Sequence, residues 1–250
     1  MDFWLKVLLL FAAGTASGFI NVMAGGGSLI NMPVMRFLGM EGPLVNGTNR
    51  VAMIVQDFVA TVGFWRKGYS EFRLSFKLSL CALPGAVLGA WLGNSLRGVW
   101  FDRVLALVMI GVMVVMTRKE KGKEDGVEVV STPQRRRWGY VLMVAAGFYG
   151  GFIQAGVGLI MMAILHRVMG MDLVRVNMHK VIIVGVYTIP VLAIFAMRGN
   201  VDWLTGILLS VGNAVGGFIG SNVTIDRGEK AIRVVFNLAL IAMAIKLLLG

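Results

Sequence analysis

Residues Met23–Val34 read MAGGGSLINMPV and place three consecutive glycines, Gly25, Gly26 and Gly27, inside an apolar stretch. Each glycine costs a helix about 0.8–1 kcal/mol relative to alanine. The stretch therefore predicts a hydrophobic helix that is interrupted at this point. In lipid, backbone groups without helical partners persist only inside protein or beside a water-filled cavity. A break here thus indicates an internal cavity.

The composition indicates that the surroundings of this break are a lipid bilayer. The chain has 250 residues, of which 57% are hydrophobic and 15% charged, whereas soluble domains carry about 25% charged residues. Apolar runs of about 20 residues, which suffice to cross a bilayer, recur along the chain. We expect an all-α, multi-pass integral membrane protein with about eight transmembrane segments. They are predicted at 4–38, 44–65, 72–95, 99–116, 139–169, 173–197, 201–223 and 229–249.

The net charge of +11 is explained by membrane topology, so no nucleic acid partner is expected. Lysine and arginine fall mainly between the apolar segments, and cytoplasmic loops carry such an excess. The polar linker 117–138 carries seven cations against four acids, which predicts a cytoplasmic location. Four cations fit the same side, namely Arg66, Lys67, Arg73 and Lys77. The sequence leaves open on which side Arg167, Arg175 and Lys180 lie.

A duplication runs through the sequence. The segment GTASGFI at Gly14–Ile20 recurs as GFYGGFI at Gly147–Ile153, and beyond it Val45-Asn46 matches Val176-Asn177 at an offset of 131. We therefore predict two homologous four-segment repeats, 1–116 and 139–250. A cleaved signal peptide would have no partner in mid-chain, so the first segment is expected to be retained. Four crossings per half would make the repeats parallel, whereas a re-entrant first element would make them inverted.

The glycine break has a counterpart in the second repeat, because AGGGS at Ala24–Ser28 matches AGVGL at Ala155–Leu159. Interrupted segments at corresponding positions of two halves indicate a transporter's binding site. A helix that restarts there presents free N–H groups and its positive dipole end to an anion. The predicted substrate-binding residues at the breaks are Gly25, Gly26, Gly27, Ser28, Gly156 and Gly158.

The alternative interpretation of these glycines is helix packing, since small residues at four-residue spacing bring membrane helices close together. We assign to such contacts the rows Gly14/Gly18, Gly85/Gly89/Gly93, Gly147/Gly151 and Gly212/Gly216/Gly220. Helix contact requires glycine on one face only. The contiguous glycines at 25–27 therefore favour the cavity.

A second paired feature is VNGTNR at Val45–Arg50 against VNMHKV at Val176–Val181. The further substrate-binding candidates are Asn46, Thr48, Asn49, Asn177, His179 and Lys180. Asparagine and threonine can donate hydrogen bonds to an anion, and Lys180 supplies a positive charge. Two alternatives stay open: the first three side chains could cap a helix start, and Lys180 could extend to the membrane interface.

Asp57 lies in the middle of an apolar segment, in MIVQDFVATVGFW. An ionisable group at such a position costs on the order of 2.5–3.5 kcal/mol and is a functional candidate. Asp57 is therefore a candidate for ion coupling. The alternative is that it only pairs with a buried arginine or lysine.

No other chemistry is indicated. His166 and His179 lack further ligands at metal-binding spacing, and no nucleophile elbow or Walker lysine is present. We expect no catalytic residues, no metal and no cofactor, and the chain is not predicted to be an enzyme. The single cysteine, Cys81, excludes an intramolecular disulfide.

Several motifs together resemble the TauE/SafE (sulfite exporter) family. They are GFINVMAGGGSLINMPVMRFLGM with VNGTNRVA in the first half, and GFYGGFIQAGVGLIMMAIL, VNMHKVI and FAMRGNVDW in the second. The resemblance implies an inner (plasma) membrane secondary transporter of a small anion such as sulfite, a sulfonate or another organosulfur compound, with export as the expected direction. Family members often have a longer glycine run, and an amide is more usual where Asp57 stands.

Other functions stay open beside the transporter. A passive anion channel would use the same cavity without a coupling step. A membrane scaffold or sensory partner would use the glycines for helix packing alone. The expected partners are a small anion and the lipid bilayer, and the sequence leaves a homo-oligomer open.

Overall fold

The computed structural model describes residues 3–96, 98–117 and 132–249, and every regular element in these ranges is helical. The elements are α1 Phe3–Ala24, α2 Ser28–Phe37, α3 Gly42–Arg66, α4 Phe72–Gly93, α5 Val99–Thr117, α6 Pro133–Phe152, α7 Val157–Ala163 with a π-helical turn Ile164–Val168, α8 Leu173–Met197 and α9 Trp203–Leu249. The last helix is kinked at Gly228, where φ is 60° and ψ is −154°. The predicted all-α class is confirmed. Helix α6 begins inside the predicted linker, whose residues 118–131 lie outside the described ranges.

Among the described residues, four helical segments are long and apolar enough to cross a membrane. They are Phe3–Ala24, Phe72–Gly93, Leu173–Met197 and Trp203–Gly228. The expectation of about eight crossings stays a prediction. The distribution of side chains fits a lipid exterior, because large apolar residues such as Phe37 and Met197 are exposed while many asparagine, serine and threonine side chains are buried beside the apolar core.

Helices α1 and α3 and the part of α9 before its kink, Trp203–Gly228, pack together and run in the same direction, and we call them the first set. A Cβ added at Gly212 would collide with the carbonyl of Phe11, and one at Gly216 with that of Thr15. Later residues of α9 thus contact later residues of α1, so the two helices are parallel. Helix α3 follows the same course. Its Thr48 accepts a hydrogen bond from the amide of Asp202, which immediately precedes α9.

Helices α4, α6 and α8 form the second set, again mutually parallel. A Cβ at Gly85 would meet Val144, one at Gly93 would meet Phe152, and Ser75 of α4 contacts His179 of α8. The two sets run in opposite directions, as the contact between α3 and α8 shows. Gly47 near the start of α3 lies against Phe195 near the end of α8.

These directions define the path of the interrupted segments. Helices α1 and α3 belong to the same parallel set, so both begin at one end of the molecule and α2 must return the chain to that end. The same reasoning holds for α6, α7 and α8 at the opposite end. Each interrupted element is therefore a helical hairpin that returns the chain to the end of the molecule at which the element began.

The rows of glycine at four-residue spacing are helix contacts, as predicted. At Gly14 and Gly18 an added Cβ would collide with α9, and at Gly147 and Gly151 with the backbone of α4. Their partners are the rows Gly212/Gly216/Gly220 and Gly85/Gly89/Gly93, which face α1 and α6. Each contact thus joins the first segment of one predicted repeat to the third segment of the other.

Left-handed glycines recur at the offset of the predicted duplication. Positive φ values occur in the pairs Gly25/Gly156, Gly39/Gly170 and Gly68/Gly199, each 131 residues apart, and in Gly98/Gly228, 130 residues apart. The backbone therefore repeats its turns where the sequence repeats its motifs.

Two of the three cations whose side the sequence leaves open, Arg167 and Arg175, lie at the end where α4, α6 and α8 begin. Arg175 Nε is 3.3 Å from Glu71 Oε1 at the start of α4. Arg135 donates to the carbonyls of Arg167 and Val168 at 2.9 and 3.1 Å. Arg167 and Arg175 thus share the end of the molecule at which the linker joins α6.

Candidate functional site

The two breaks meet inside the protein. Helix α1 ends at Ala24 and α2 begins at Ser28, while α6 ends at Phe152 and α7 begins at Val157. A Cβ at Gly25 would lie 2.7 Å from the amide nitrogen of Leu159, and one at Gly158 would lie 2.5 Å from Gly25 Cα. The backbones of the two predicted sites are therefore in direct contact.

Where the sequence predicts a cavity, the backbone of each break occupies the space beside the other, at Gly25 and Gly158. The prominent grooves among the described residues lie at the surface, one lined by Trp4 and Phe11, the other by Phe72 and Phe76. Neither includes a break residue. A Cβ added at Gly27 would meet Ser17 and Asn21, whereas the nearest atoms to one at Gly26 belong to the apolar side chains of Leu29 and Ile20.

Lys180 holds the end of α1. Its Nζ donates to the carbonyls of Asn21 and Val22 at 2.8 and 2.9 Å and to Asn177 Oδ1 at 2.7 Å. Asn177 in turn donates to the Met23 carbonyl at 3.2 Å. The last carbonyls of a helix lack intrahelical partners, and a cation complements the negative end of its dipole. Lys180 is 1% exposed, so it does not extend to the interface.

Arg50 holds the end of α6 in the same way. Its guanidinium donates to the carbonyls of Gly150 and Gly151 at 3.2 and 2.7 Å and to Gln154 Oε1 at 2.9 Å. Asn46 donates to the Phe152 carbonyl at 2.8 Å and accepts from Arg50 at 3.1 Å.

Arg50 is absent from the predicted site residues. The signal that could identify it is a cation one helical turn after Asn46, inside an apolar segment. Lys180 follows Asn177 in the matching motif of the second repeat at similar spacing. The arrangement is reciprocal, because α3 of the first half caps α6 of the second, and α8 of the second half caps α1 of the first.

Neither buried cation forms an ion pair with a carboxylate among the described residues, although Asp57 acts on Lys180 electrostatically. In the described part of the chain, ion pairs join Arg36 to Asp102, Lys67 to Asp226, and Arg175 and His179 to acids near the molecular surface, and none includes Arg50 or Lys180. Burying an unpaired charge is costly, and carbonyl dipoles compensate it only in part. Arg50 Nε also has no hydrogen-bond partner.

A row of buried amides leads from the first break into the protein. We call Asn49, Asn31, Asn213 and Gln56 the amide row. The hydrogen bonds run from Asn49 Nδ2 to Ser28 Oγ (3.0 Å), Asn31 Nδ2 to Asn49 Oδ1 (3.2 Å) and Asn213 Oδ1 (3.3 Å), Asn213 Nδ2 to Gln56 Oε1 (3.3 Å), and Gln56 Nε2 to Asp57 Oδ1 (3.0 Å). Every member is fully buried.

Asp57 ends this row. It is 1% exposed, and its Oδ2 has no hydrogen-bond partner. A Cβ added at Gly185 of α8 would lie 3.3 Å from the Cβ of Asp57. The alternative that Asp57 pairs directly with a buried cation is not realised here, because Lys180 and Arg50 bind carbonyls and amides instead.

Two predicted site residues lie away from the breaks. Thr48 accepts from the amide of Asp202 at 2.9 Å, and His179 Nδ1 is 2.8 Å from Ser75 Oγ. His179 Nε2 also lies 3.6 Å from Glu71 Oε2, close to the end of the molecule. The alternative that Asn46, Thr48 and Asn49 cap their own helix does not hold, because α3 already begins at Gly42.

Within the described residues, no group of three or more histidine, cysteine, aspartate or glutamate side chains is placed to hold a metal ion. The chemistry available at the breaks is therefore that of amides, hydroxyls and two cations. Such groups bind and release a solute through hydrogen bonds and charge.

Known proteins resemble the chain over almost its whole length. A probable membrane transporter protein ORF9 of Sinorhizobium sp. is 27% identical over 239 residues, covering 96% of this chain and 91% of that protein. A probable membrane transporter protein of Haemophilus influenzae is 27% identical over 236 residues, covering 93% and 91%. The probable membrane transporter protein YfcA of Escherichia coli is 26% identical over 248 residues, covering 96% and 88%.

No solved structure matches the chain significantly. The family model for the sulfite exporter TauE/SafE matches residues 10–247. The motifs of both halves lie within this range, together with the two breaks and the cations that cap them. The chain therefore belongs to the TauE/SafE family of membrane transporters.

Proposed function

We propose that the protein is a secondary transporter that carries a small anion, such as sulfite, a sulfonate or another organosulfur compound, across the plasma (inner) membrane. One observation carries this proposal: Arg50 and Lys180 lie fully buried at the two breaks without a carboxylate partner in the described part of the chain. A negative solute neutralises this excess of positive charge, whereas a cationic solute increases it.

The first break offers hydrogen-bond donors for the anion. The amides of Gly26 and Ser28 carry no backbone hydrogen bond within the described residues, and Ser28 begins the ten-residue helix α2. Free amides at a helix start, together with its positive dipole end, favour an anion. Ser28 Oγ and the Asn49 amide lie next to them. Gly156 and Gly158 let the second break approach closely enough to complete the site.

The opposed directions of the two sets support a mechanism of alternating access. We interpret the chain as two inverted repeats, in which rocking of the first set against the second opens the breaks to one side and then to the other. Lys180 and Arg50 belong to α8 and α3, which face each other across the sets. Separation of the sets frees both cations from the carbonyls that they now hold.

The orientation in the membrane follows from the cations. Arg135, Arg167 and Arg175 lie at the end where the linker joins α6. Cytoplasmic loops of membrane proteins carry an excess of lysine and arginine. We therefore assign this end to the cytoplasm.

The test is counterflow of labelled sulfite in liposomes that contain the purified full-length chain. We expect saturable exchange by the wild type, whereas a passive channel gives no saturable counterflow and a scaffold gives no flux. Lys180→Met lowers exchange at least about thirtyfold, because losing a buried charged partner costs about 2–5 kcal/mol. The control Lys77→Met changes an exposed lysine and leaves exchange unaltered. Normal exchange by Lys180→Met would remove Lys180 from the site.

A further inference from the structure

We propose that Asp57 binds a proton together with the transported anion and that the amide row links the two sites, so that transport is anion–proton symport. This inference rests on the proposed function. It concerns what drives the anion rather than whether the anion is carried.

The amide row is continuous from Ser28 to Asp57. Five hydrogen bonds of 3.0–3.3 Å connect the hydroxyl at the first break to the carboxyl group. The row passes from α2 to Asn49 on α3, returns to Asn31 on α2, and then crosses through Asn213 on α9 to Gln56 and Asp57 on α3. In such a row each amide can turn only if its neighbours also turn, because donors must continue to face acceptors.

The junction of the row is Asn31. Its Nδ2 donates in both directions, towards Asn49 and towards Asn213, while its Oδ1 has no partner. An anion that accepts a hydrogen bond from Ser28 or Asn49 therefore polarises the row from one end, and the Asp57 carboxylate polarises it from the other. The two negative groups compete for one set of donors.

The groups that face Asp57 allow it to take a proton when the anion arrives. Lys180 and Tyr187 of α8 lie within electrostatic reach, and from α3 itself Arg50 lies two turns earlier. Helix α9 contributes the uncharged Asn213 and Gly217, which contact Gln56. An anion bound at Lys180 cancels the positive charge that favours the Asp57 carboxylate. Protonation of Asp57 then favours anion binding, and by linkage the reverse holds equally.

The proton fits this site better than an alkali cation. A metal ion in a membrane protein needs several oxygen ligands to replace its hydration shell. Asp57 Oδ1 instead faces the Gln56 amide donor, and Oδ2 has no other oxygen assigned to it within the described residues. The free Oδ2 can accept a proton without further ligands.

Symport has a consequence for direction. Under an inward proton gradient it drives uptake of the anion, which is the reverse of the export that the family resemblance implies. The direction of net flux therefore separates coupled uptake from export.

The experiment uses the full-length chain in liposomes with the membrane potential clamped to zero. The probes are sulfite and methanesulfonate, since the charge of the sulfonate does not change over the pH range used. With an alkaline interior, we expect the wild type to accumulate methanesulfonate about tenfold per pH unit, as one proton per anion requires. Asp57→Asn keeps equilibrium exchange but loses accumulation. The exposed control Asp226→Asn accumulates as the wild type does.

Asn213→Leu tests the row itself, because it interrupts the hydrogen bonds and leaves Asp57 in place. We expect retained exchange and an accumulation ratio that falls towards one. Asp57→Glu keeps a carboxyl group, and we expect it to retain part of the accumulation. It tests the role of the carboxyl group if Asp57→Asn does not fold.

The outcomes separate the two proposals. Absence of exchange by the wild type for both probes overturns the proposed function and the coupling with it. Exchange without accumulation in a pH gradient overturns only the coupling, as does full accumulation by Asp57→Asn. If a sodium gradient instead drives accumulation, the site binds sodium, and the proposal of a proton at Asp57 is overturned.

Discussion

At the scale of single residues, Arg50 and Lys180 perform the same task with different side chains. Lys180 is a point charge that contacts two adjacent carbonyls and one amide oxygen. Arg50 is a planar group whose separate nitrogens reach two carbonyls and two amide oxygens, with the Phe195 ring 4.8 Å from its Cζ. The two side chains are therefore not interchangeable.

Substitution of Arg50 tests its role at the end of α6. Arg50→Gln leaves buried carbonyls without their charged donor, and we expect it to destabilise the protein by about 3 kcal/mol. Arg50→Lys keeps the charge but reaches fewer oxygens, so its loss is smaller. The measurement is the thermal unfolding midpoint in detergent, with Arg66→Gln at the exposed end of α3 as the control. An unchanged midpoint for Arg50→Gln would contradict the capping role.

At the scale of elements, each broken helix is completed by the opposite half of the chain. The carbonyls at the end of α1 are satisfied by α8, and those at the end of α6 by α3. The breaks also contact each other through Gly25 and Gly158, where backbone occupies the space of a side chain. Such an arrangement tolerates separation of the two sets but not insertion of atoms between the breaks.

Alanine at the breaks tests this contact. In Gly25→Ala the new Cβ meets the backbone of the second break. The backbone φ of 80° at this position adds about 1–2 kcal/mol of strain for alanine. Gly158→Ala meets Gly25 without that strain. We expect both variants to lower the unfolding midpoint, Gly25→Ala more strongly. The matched control for stability is Gly26→Ala, whose Cβ would have its nearest neighbour at 3.7 Å. A midpoint for Gly158→Ala equal to that of Gly26→Ala would show that the breaks are not tightly apposed.

At the scale of the whole molecule, the sequence predicts what depends on local pattern. The helix positions, the breaks at Gly25 and Gly156 and the glycine rows follow from hydropathy, spacing and repetition. The pairing of Arg50 with α6 and of Asn31 with Asn213 joins residues 100 or more positions apart, and no local signal specifies it. Thr48 and His179 share a motif with site residues, but their positions on the helix turn them towards other neighbours.

The whole-molecule arrangement also determines on which side each turn lies. Arg66 and Met197 occupy equivalent positions of the predicted repeats, 131 residues apart, and both are exposed. They end α3 and α8, which run in opposite directions, so inverted repeats place them on opposite faces of the membrane. Parallel repeats would place them on the same face.

Single cysteines at these two positions test the arrangement, in a Cys81→Ala background that lacks any other thiol. We expect a membrane-impermeant maleimide to label Met197→Cys in intact cells and Arg66→Cys only in inside-out vesicles, because Arg66 lies at the end that carries Arg135 and Arg175. The background without an added cysteine controls for nonspecific labelling. Labelling of both positions from one side would exclude inverted repeats, and labelling with the two sides exchanged would keep the fold but reverse its orientation in the membrane.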